Sequence, residues 1–391
     1  MGIYIGKLGA TSETLKMRRS LTIVVLSMLL LSLMTLPHPS VNASGGFIEL
    51  PQGVFTKLQR AVDVTWNGNG FIGSDRANLS SAKLVSISTD GKTVTPFAPS
   101  FSTNNGSMED YVALSQGKAG FPSGYYFVLS FDSIYKIDPS GNSVELFSTP
   151  LKSQQLSFIA FDSVGTWGYS LLALYMNGMI WSINSTGGAS EVADVGSRQN
   201  PECITVAPTG FGNFGGNLIV SEEIGNHSIV AISQTSKGLT FLARFPAEAP
   251  ERVFPVVSNE DLYIGKYDQG LIEKFPASDF ANFSSSSLLV ITEGENGQNG
   301  SIDVLTAKGN NVTSIPILLE NATHFEGMTY APENLNSLGT STVMNSNTAS
   351  PNAASSLAAT ANYLSTTTLI IVALVVVALV VAITLVIRRR S

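Results

Sequence analysis

The chain has 391 residues, 44% of them hydrophobic and 13% charged, a net charge of −7 and one cysteine. The clustered Lys and Arg that phosphate contacts need are lacking, so no nucleic-acid partner is expected, and a single cysteine excludes an intrachain disulfide. That residue, Cys203, sits mid-strand among apolar neighbours and reads as a small buried hydrophobe.

Residues 1–43 have the layout of a signal peptide. Lys16, Arg18 and Arg19 precede the apolar run Leu21–Leu36, and Val41-Asn42-Ala43 offers a small-residue cleavage site. An uncleaved anchor is the alternative, and either puts the following domain outside the cell.

Residues 44–332 show no helical periodicity. Short runs of alternating and β-branched residues are bounded by Gly, Asn, Asp and Ser, which reads as all-β. The clearest unit is Pro201–Phe245, four short strands separated by turns. Its second and third strands recur as Phe71–Asp75 with Ala82–Ser88, Tyr125–Phe131 with Ser133–Asp138, and Ser170–Tyr175 with Met179–Asn184. They recur again as Asp261–Lys266 with Leu271–Phe275 and as Ser287–Thr292 with Ser301–Thr306. Third strands run into turns rich in residues that tolerate positive φ, as short hairpins require. Units that return every 40–50 residues, roughly, have the period of propeller blades. A single blade leaves both faces apolar, so several must stack in a ring. The expectation is a β-propeller of about six blades. The fifth unit, built on Asp261–Phe275, is incomplete, because Pro276–Ser287 carries no strand signal. His324–Pro332 repeats a first strand and is expected to close the ring against N-terminal residues.

Residues 333–368 are rich in Ser, Thr, Asn and Ala, and read as a disordered, glycosylated stalk. Leu369–Ile387 is apolar apart from Thr384. At ~1.5 Å per residue a helix there spans about 28 Å, close to the ~30 Å hydrocarbon core. Arg388, Arg389 and Arg390 follow and place the tail, 388–391, in the cytoplasm. The expected product is a single-pass protein of the cell membrane with its propeller outside.

The repeat resembles the NHL-repeat and regucalcin/gluconolactonase-like (TolB-like) six-bladed propellers. NHL blades end the second strand on an acid followed by Asn, and Glu223 with Asn226, and Asp75 with Asn78, match that shape. The resemblance implies the fold, and for the regucalcin type it also implies a divalent metal held by carboxylates and amides. No ligand set transfers residue by residue.

Two acidic series recur. One begins the first strands: Glu109, Glu202, Glu251 and Glu326, interrupted by Val62 and Ser157. The other ends the second strands: Asp75, Asp132, Glu223, Asp268 and Glu295. Both belong to the face at the channel mouth, where they would make an acidic rim able to take a divalent cation such as calcium. The competing reading is that each acid accepts backbone N–H bonds within its own blade. His324 lies two residues before Glu326, on the same face of an extended strand. With His38 in the leader and His227 the only other histidine, a multi-histidine site is excluded. Gly210–Gly215 fits a dinucleotide-binding glycine pattern, but a strand follows it and no helix N-terminus is available for phosphate. Sequons begin at Asn78, Asn105, Asn184, Asn226, Asn282, Asn299, Asn311 and Asn321. Many sequons without disulfides point to an archaeal-like cell surface. The expected function is non-catalytic binding of a small extracellular ligand or of envelope proteins. A metal-dependent hydrolase or lactonase of the regucalcin type, and a structural coat component, are the alternatives.

Overall fold

A computed structural model of the chain describes residues 53–333 and 335, apart from 79–80, 104–108, 197–199, 225–226, 246–248 and 295–297. These residues form six four-stranded antiparallel sheets, the blades of a β-propeller. After β1 (Gly53–Lys57), blade 1 is β2 (Ala61–Trp66), β3 (Phe71–Asn78), β4 (Ser81–Ile87) and β5 (Val94–Pro96). Blade 2 is β6 (Val112–Leu114), β7 (Tyr126–Ser130), β8 (Ser133–Ile137) and β9 (Val144–Ser148). Blade 3 is β10 (Leu156–Phe161), β11 (Leu171–Tyr175), β12 (Met179–Ile183) and β13 (Ala189–Asp194). Blade 4 is β14 (Pro201–Val206), β15 (Leu218–Glu222), β16 (Ser228–Ile232) and β17 (Leu239–Arg244).

Burial falls from the inner to the outer strand of each blade. Every residue of β14 and β15 is buried, whereas β17 exposes Leu239, Thr240 and Phe241. Inner strands pack against neighbouring blades on both faces and are therefore mostly apolar away from their starts, while outer strands stay largely exposed. The turn after the third strand carries a left-handed glycine, as in Gly91 (φ 72°) and Gly187 (φ 84°). A Cβ at either would also run into a backbone carbonyl of the preceding blade, Phe55 or Phe147. Glycine is needed there twice over, for the turn and for the close approach.

Blades 5 and 6 exchange a hairpin. β18 (Ala249–Pro255) is the inner strand of blade 5, but its neighbour is β21 (Leu288–Glu293), followed by β22 (Gly300–Lys308) and β23 (Asn311–Glu320). The intervening β19 (Glu260–Lys266) and β20 (Leu271–Phe275) lie in blade 6, between the inner strand β24 (Phe325–Pro332) and the outer strand β1. The hairpin Asp261–Phe275 thus belongs to blade 6, not to a fifth unit, and Pro276–Ser287 is the strandless return to blade 5. The ring does close through both ends of the domain, but β24 pairs with β19 and β1 with β20, so the terminal strands never pair with each other. Lys266 clamps the exchange. It is buried, and its ammonium lies 2.7 Å from Glu273 of β20 and 2.6 Å from Glu320 at the end of β23.

Among the described residues no helix is long and apolar enough to cross a membrane. The leader 1–43, the span 369–387 and the tail 388–391 lie outside those residues. Leu335, inside the segment 333–368 expected to be stalk, is buried among Ala61, Tyr263 and Ile272; residues 336–368 lie outside the described residues. The large apolar side chain of Leu335 gains more by packing there than by remaining in water.

Candidate functional site at the channel mouth

The inner strands share one irregularity. In β2, β10, β14 and β18 the pairing register skips a residue near the start of the strand, leaving Val62, Ser157, Glu202 and Glu251 as the unpaired residues of β-bulges. β24 skips between Phe325 and Met328, which puts Glu326 in the same place. In blade 2 the ladder runs from Val112 and Tyr111 accepts a bond from Leu129, so the matching residue is Asp110. Glu109 therefore stands one residue earlier than the repeat suggested. A bulge re-aims the side chain it frees, and here it does so at the mouth of each inner strand.

The residue after each bulge stands one level deeper in its inner strand. These are Asp63, Tyr111, Phe158, Cys203, Arg252 and Gly327. Arg252 reaches across this level and closes it. Its guanidinium lies 3.9 Å from the Tyr111 ring centroid and 4.7 Å from that of Phe158. It is fully buried, pairs with Glu251, and stands 3.6 Å from Glu326. Glycine at 327 is required because a Cβ would overlap Asp63 of the first blade. Asp63 accepts the Val112 N–H at 2.8 Å, which ties blade 1 to blade 2. Burial pushes its carboxyl up to about 6. Cys203 is buried, and its thiol is pushed up to about 12 by burial, as an inert core residue requires.

Above Arg252 the acids converge. His324 Nε2 contacts Glu293 Oε2 and lies 3.0 Å from Glu326 Oε1. A ligand atom from each of Glu293, His324 and Glu326 falls within 4.8 Å of the other two. Tyr111 Oη is 2.6 Å from Glu109 Oε2 and 3.2 Å from Glu326 Oε2, so one phenol proton serves two carboxylates. Glu202 accepts from Asn200 Nδ2 at 2.7 Å, and Asn200 also bonds Glu223.

The titration behaviour follows from crowding like charges in a buried space. Burial, then the charge of Glu326, pushes Glu109 up to about 7. Burial likewise raises Glu293 to about 7 against the bond from His324. Glu202 and Glu251 are raised well above the usual carboxylate range, by burial first and by neighbouring carboxylates. Glu326 goes the other way, because His324 and Arg252 outweigh its burial and lower it. Burial would lower His324, but its bonds to Glu293 and Glu326 prevail and push it up to about 12.

The residues expected from the sequence divide. Glu109, Glu202, Glu251, Glu326 and His324 lie in this cluster. Of the second-strand acids, Glu223 joins its edge through Asn200. Asp268 is mostly exposed and stands 3.9 Å from His324 Nδ1. Asp75 and Asp132 hold loops instead. Asp75 Oδ1 accepts the N–H groups of Gln59 and Arg60 at 2.9 Å each, and Asp132 accepts from Ser133 and Ser153. Glu295 lies outside the described residues. The register explains the division: the residue before each bulge pairs with Asp75, Glu222, Thr292 or Lys266, and the residues that follow these partners are Arg76 in blade 1, Glu223 in blade 4, Glu293 in blade 5 and Tyr267 in blade 6. Glu293, Arg252, Tyr111 and Asn200 are the participants that sequence reasoning missed. A charged residue inside the apolar inner strand Ala249–Pro255 was the available signal for Arg252. Of the sequons, Asn184, Asn282, Asn311 and Asn321 are exposed, and Asn299 is half-buried. Asn105, Asn226 and the Asn78 side chain lie outside the description.

The six sheets define the class of the chain, a six-bladed β-propeller. No family model matches the sequence, and no curated protein matches it. Solved structures similar to it include virginiamycin B lyase from Staphylococcus aureus, at 16% identity, 73% of this chain, 96% of that one and a TM-score of 0.42. A streptogramin B lyase is similar at 13% identity, 72% and 98% coverage, and a TM-score of 0.41. A chain of a nidogen/laminin complex is similar at 13% identity, 72% and 85% coverage, and a TM-score of 0.42.

Proposed function

We propose that this chain is a membrane-anchored, glycosylated cell-surface propeller whose channel mouth binds a small extracellular ligand through a divalent cation. The observation that carries the cation is the convergence of Glu293, His324 and Glu326. Three strong donors meet around one shared proton position, which is where an ion fits. One imidazole with two carboxylates suits manganese, zinc or ferrous iron better than calcium, which prefers an all-oxygen shell. Asp268 near His324 Nδ1 fits the role of a carboxylate that orients a ligating imidazole. The apolar run Leu369–Ile387 with its three arginines supports the anchor, and the exposed sequons support glycosylation.

A second reading is a metal-dependent hydrolase or lactonase. It is favoured by Glu109, whose carboxyl, held at about 7 beside Glu326, can give or take a proton near neutral pH. A bound ion would polarise a carbonyl oxygen of the substrate.

Calorimetric titration of the purified chain with Mn²⁺ and Zn²⁺ tests the cation site. Binding is expected to strengthen from pH 6 to pH 8, because the ion must displace the protons held by Glu293 and His324. Glu293→Gln and Glu326→Gln should each weaken it at least ~10-fold, since even the loss of an outer-shell partner of a ligand costs that much. Equal affinity in all three proteins would remove the site from consideration.

A further inference from the structure

The three groups that meet at the mouth are not held equally. Glu293 and His324 face each other across an isolated backbone bridge between blades 5 and 6, where the Gly294 N–H also donates to the Thr323 carbonyl at 2.9 Å. Their side chains therefore start from fixed points. Glu326 stands on the bulge of β24, outside the strand ladder, so the hold on its carboxylate has to come from other side chains. Its Oε1 lies 3.0 Å from His324 Nε2, whereas Oε2 turns the other way, 3.2 Å from Tyr111 Oη and 3.6 Å from Arg252 Nη2.

Tyr111 is built to supply that hold. Its ring lies against Phe158, with centroids 5.1 Å apart, and under the Arg252 guanidinium, and its carbonyl accepts the Leu129 N–H at 3.1 Å. Its hydroxyl has a carboxyl group on each side, with Glu109 Oε2 at 2.6 Å and Glu326 Oε2 at 3.2 Å. A phenol has one proton to donate, so it bonds the two acids only in turn while both are ionised. Both contacts are satisfied together when Glu109 carries a proton and donates it. The phenol oxygen then accepts on one side and donates on the other.

We propose that Tyr111 is the positioning residue of the cation site, with Glu109 as a protonated donor behind it. Glu109 donates to Tyr111 Oη, Tyr111 donates to Glu326 Oε2, and Glu326 is left with Oε1 directed at the place it shares with His324 and Glu293. Ligating carboxylates are commonly fixed by such outer hydrogen bonds, and losing one costs about 10–100-fold in metal affinity. The site thus draws on blade 2 as well as on blades 5 and 6, because Glu109 and Tyr111 lead into β6. The role given to Oε1 rests on the cation reading above; the hydrogen-bond relay itself does not.

The test is calorimetric titration of the purified full-length chain with Mn²⁺ at about pH 6.5, below the value of about 7 to which Glu109 is pushed. Tyr111→Phe keeps the ring beneath Arg252 and removes only the hydroxyl; it should weaken Mn²⁺ binding at least ~10-fold. Glu109→Gln, whose amide still donates to Tyr111, should weaken it by no more than about 3-fold. Thermal unfolding of each variant confirms that it folds. The relay has its own readout in metal-free protein. The infrared difference between wild type and Glu109→Gln should contain the stretching band of a protonated carboxyl, and that band should shift in the Tyr111→Phe background. Mn²⁺ affinity unchanged by Tyr111→Phe, or lowered as much by Glu109→Gln, overturns the positioning role and leaves the cation site in place. A difference spectrum without the band overturns the relay. The band in protein that binds neither Mn²⁺ nor Zn²⁺ supports the relay and overturns the cation reading.

Discussion

In blades 4 and 5 the bulge of the inner strand turns Glu202 and Glu251 into the channel, whereas in blades 1 and 3 the same bulge turns in Val62 and Ser157. The backbone device is repeated and the chemistry is not. Repetition of the fold therefore fixes where the position lies, and divergence there makes a mouth that is acidic at blades 2, 4, 5 and 6 and uncharged at blades 1 and 3. The two kinds of blade are tied together, because Arg252 of blade 5 rests on Tyr111 of acidic blade 2 and on Phe158 of uncharged blade 3. Those rings offer a buried guanidinium their negative faces where water is absent.

Removing Arg252 should break this comparison most severely. Arg252→Met leaves Glu251 buried without its cation and Glu326 with His324 alone, and losses of about 3–5 kcal/mol are usual when a buried pair loses one partner. Phe158→Leu, on the apolar side of the same contact, should cost only about 1–2 kcal/mol. Urea unfolding of the two variants measures the contrast, and similar costs would show that Arg252 is not the centre of the plug.

A smaller effect is expected from pH. Asp63 at about 6, and Glu109 and Glu293 at about 7, bind protons more tightly folded than unfolded. Their contribution is complete below their unfolded values and disappears as pH rises through the folded ones. His324, pushed up to about 12, acts in the same direction, being fully stabilising below its unfolded value and losing that contribution as pH rises towards the folded one. Metal-free protein should thus have a lower Tm at pH 8 than at pH 5.5. Glu202→Gln, which keeps the shape and removes one acid, should lessen the decline. A Tm that rises over this range would contradict the crowding of acids at the mouth.

The smallest effect belongs to an acid outside the cluster. Asp132→Ala loses the bonds to Ser133 and Ser153 and should cost about 1 kcal/mol, the net worth of an ordinary hydrogen bond or two. Its Mn²⁺ affinity should equal that of the wild type. A weakened affinity would mean that Asp132 belongs to the site after all.

Much of the architecture was legible because hairpins are local. Residues 201–245 announce four strands through alternation and turn glycines, and all six second-and-third-strand pairs are hairpins of the structure. Which blade a hairpin joins is not local. Asp261–Phe275 has the pattern of any other hairpin, and nothing within it says that it pairs with β24 rather than β18. Of the acids expected to begin the first strands, Glu202, Glu251 and Glu326 keep the spacing of a repeated bulge, while Glu109 stands one residue before it. The second-strand series was misread by a residue or two, enough to exchange Glu293 for Glu295, Tyr267 for Asp268 and Arg76 for Asp75. A one-residue step in a strand reverses the face a side chain occupies.

The sequence by itself determined the all-β character, the number of hairpins and the acidity of one end of the inner strands, since these follow from periodicity, turn chemistry and residue type. Only the tertiary structure decided the hairpin exchange between blades 5 and 6, the Arg252 plug, and the meeting of Glu293 with His324 and Glu326. Each of these joins residues from different strands or blades. Their distances are set by how six separate sheets pack around one axis, and no local pattern encodes that.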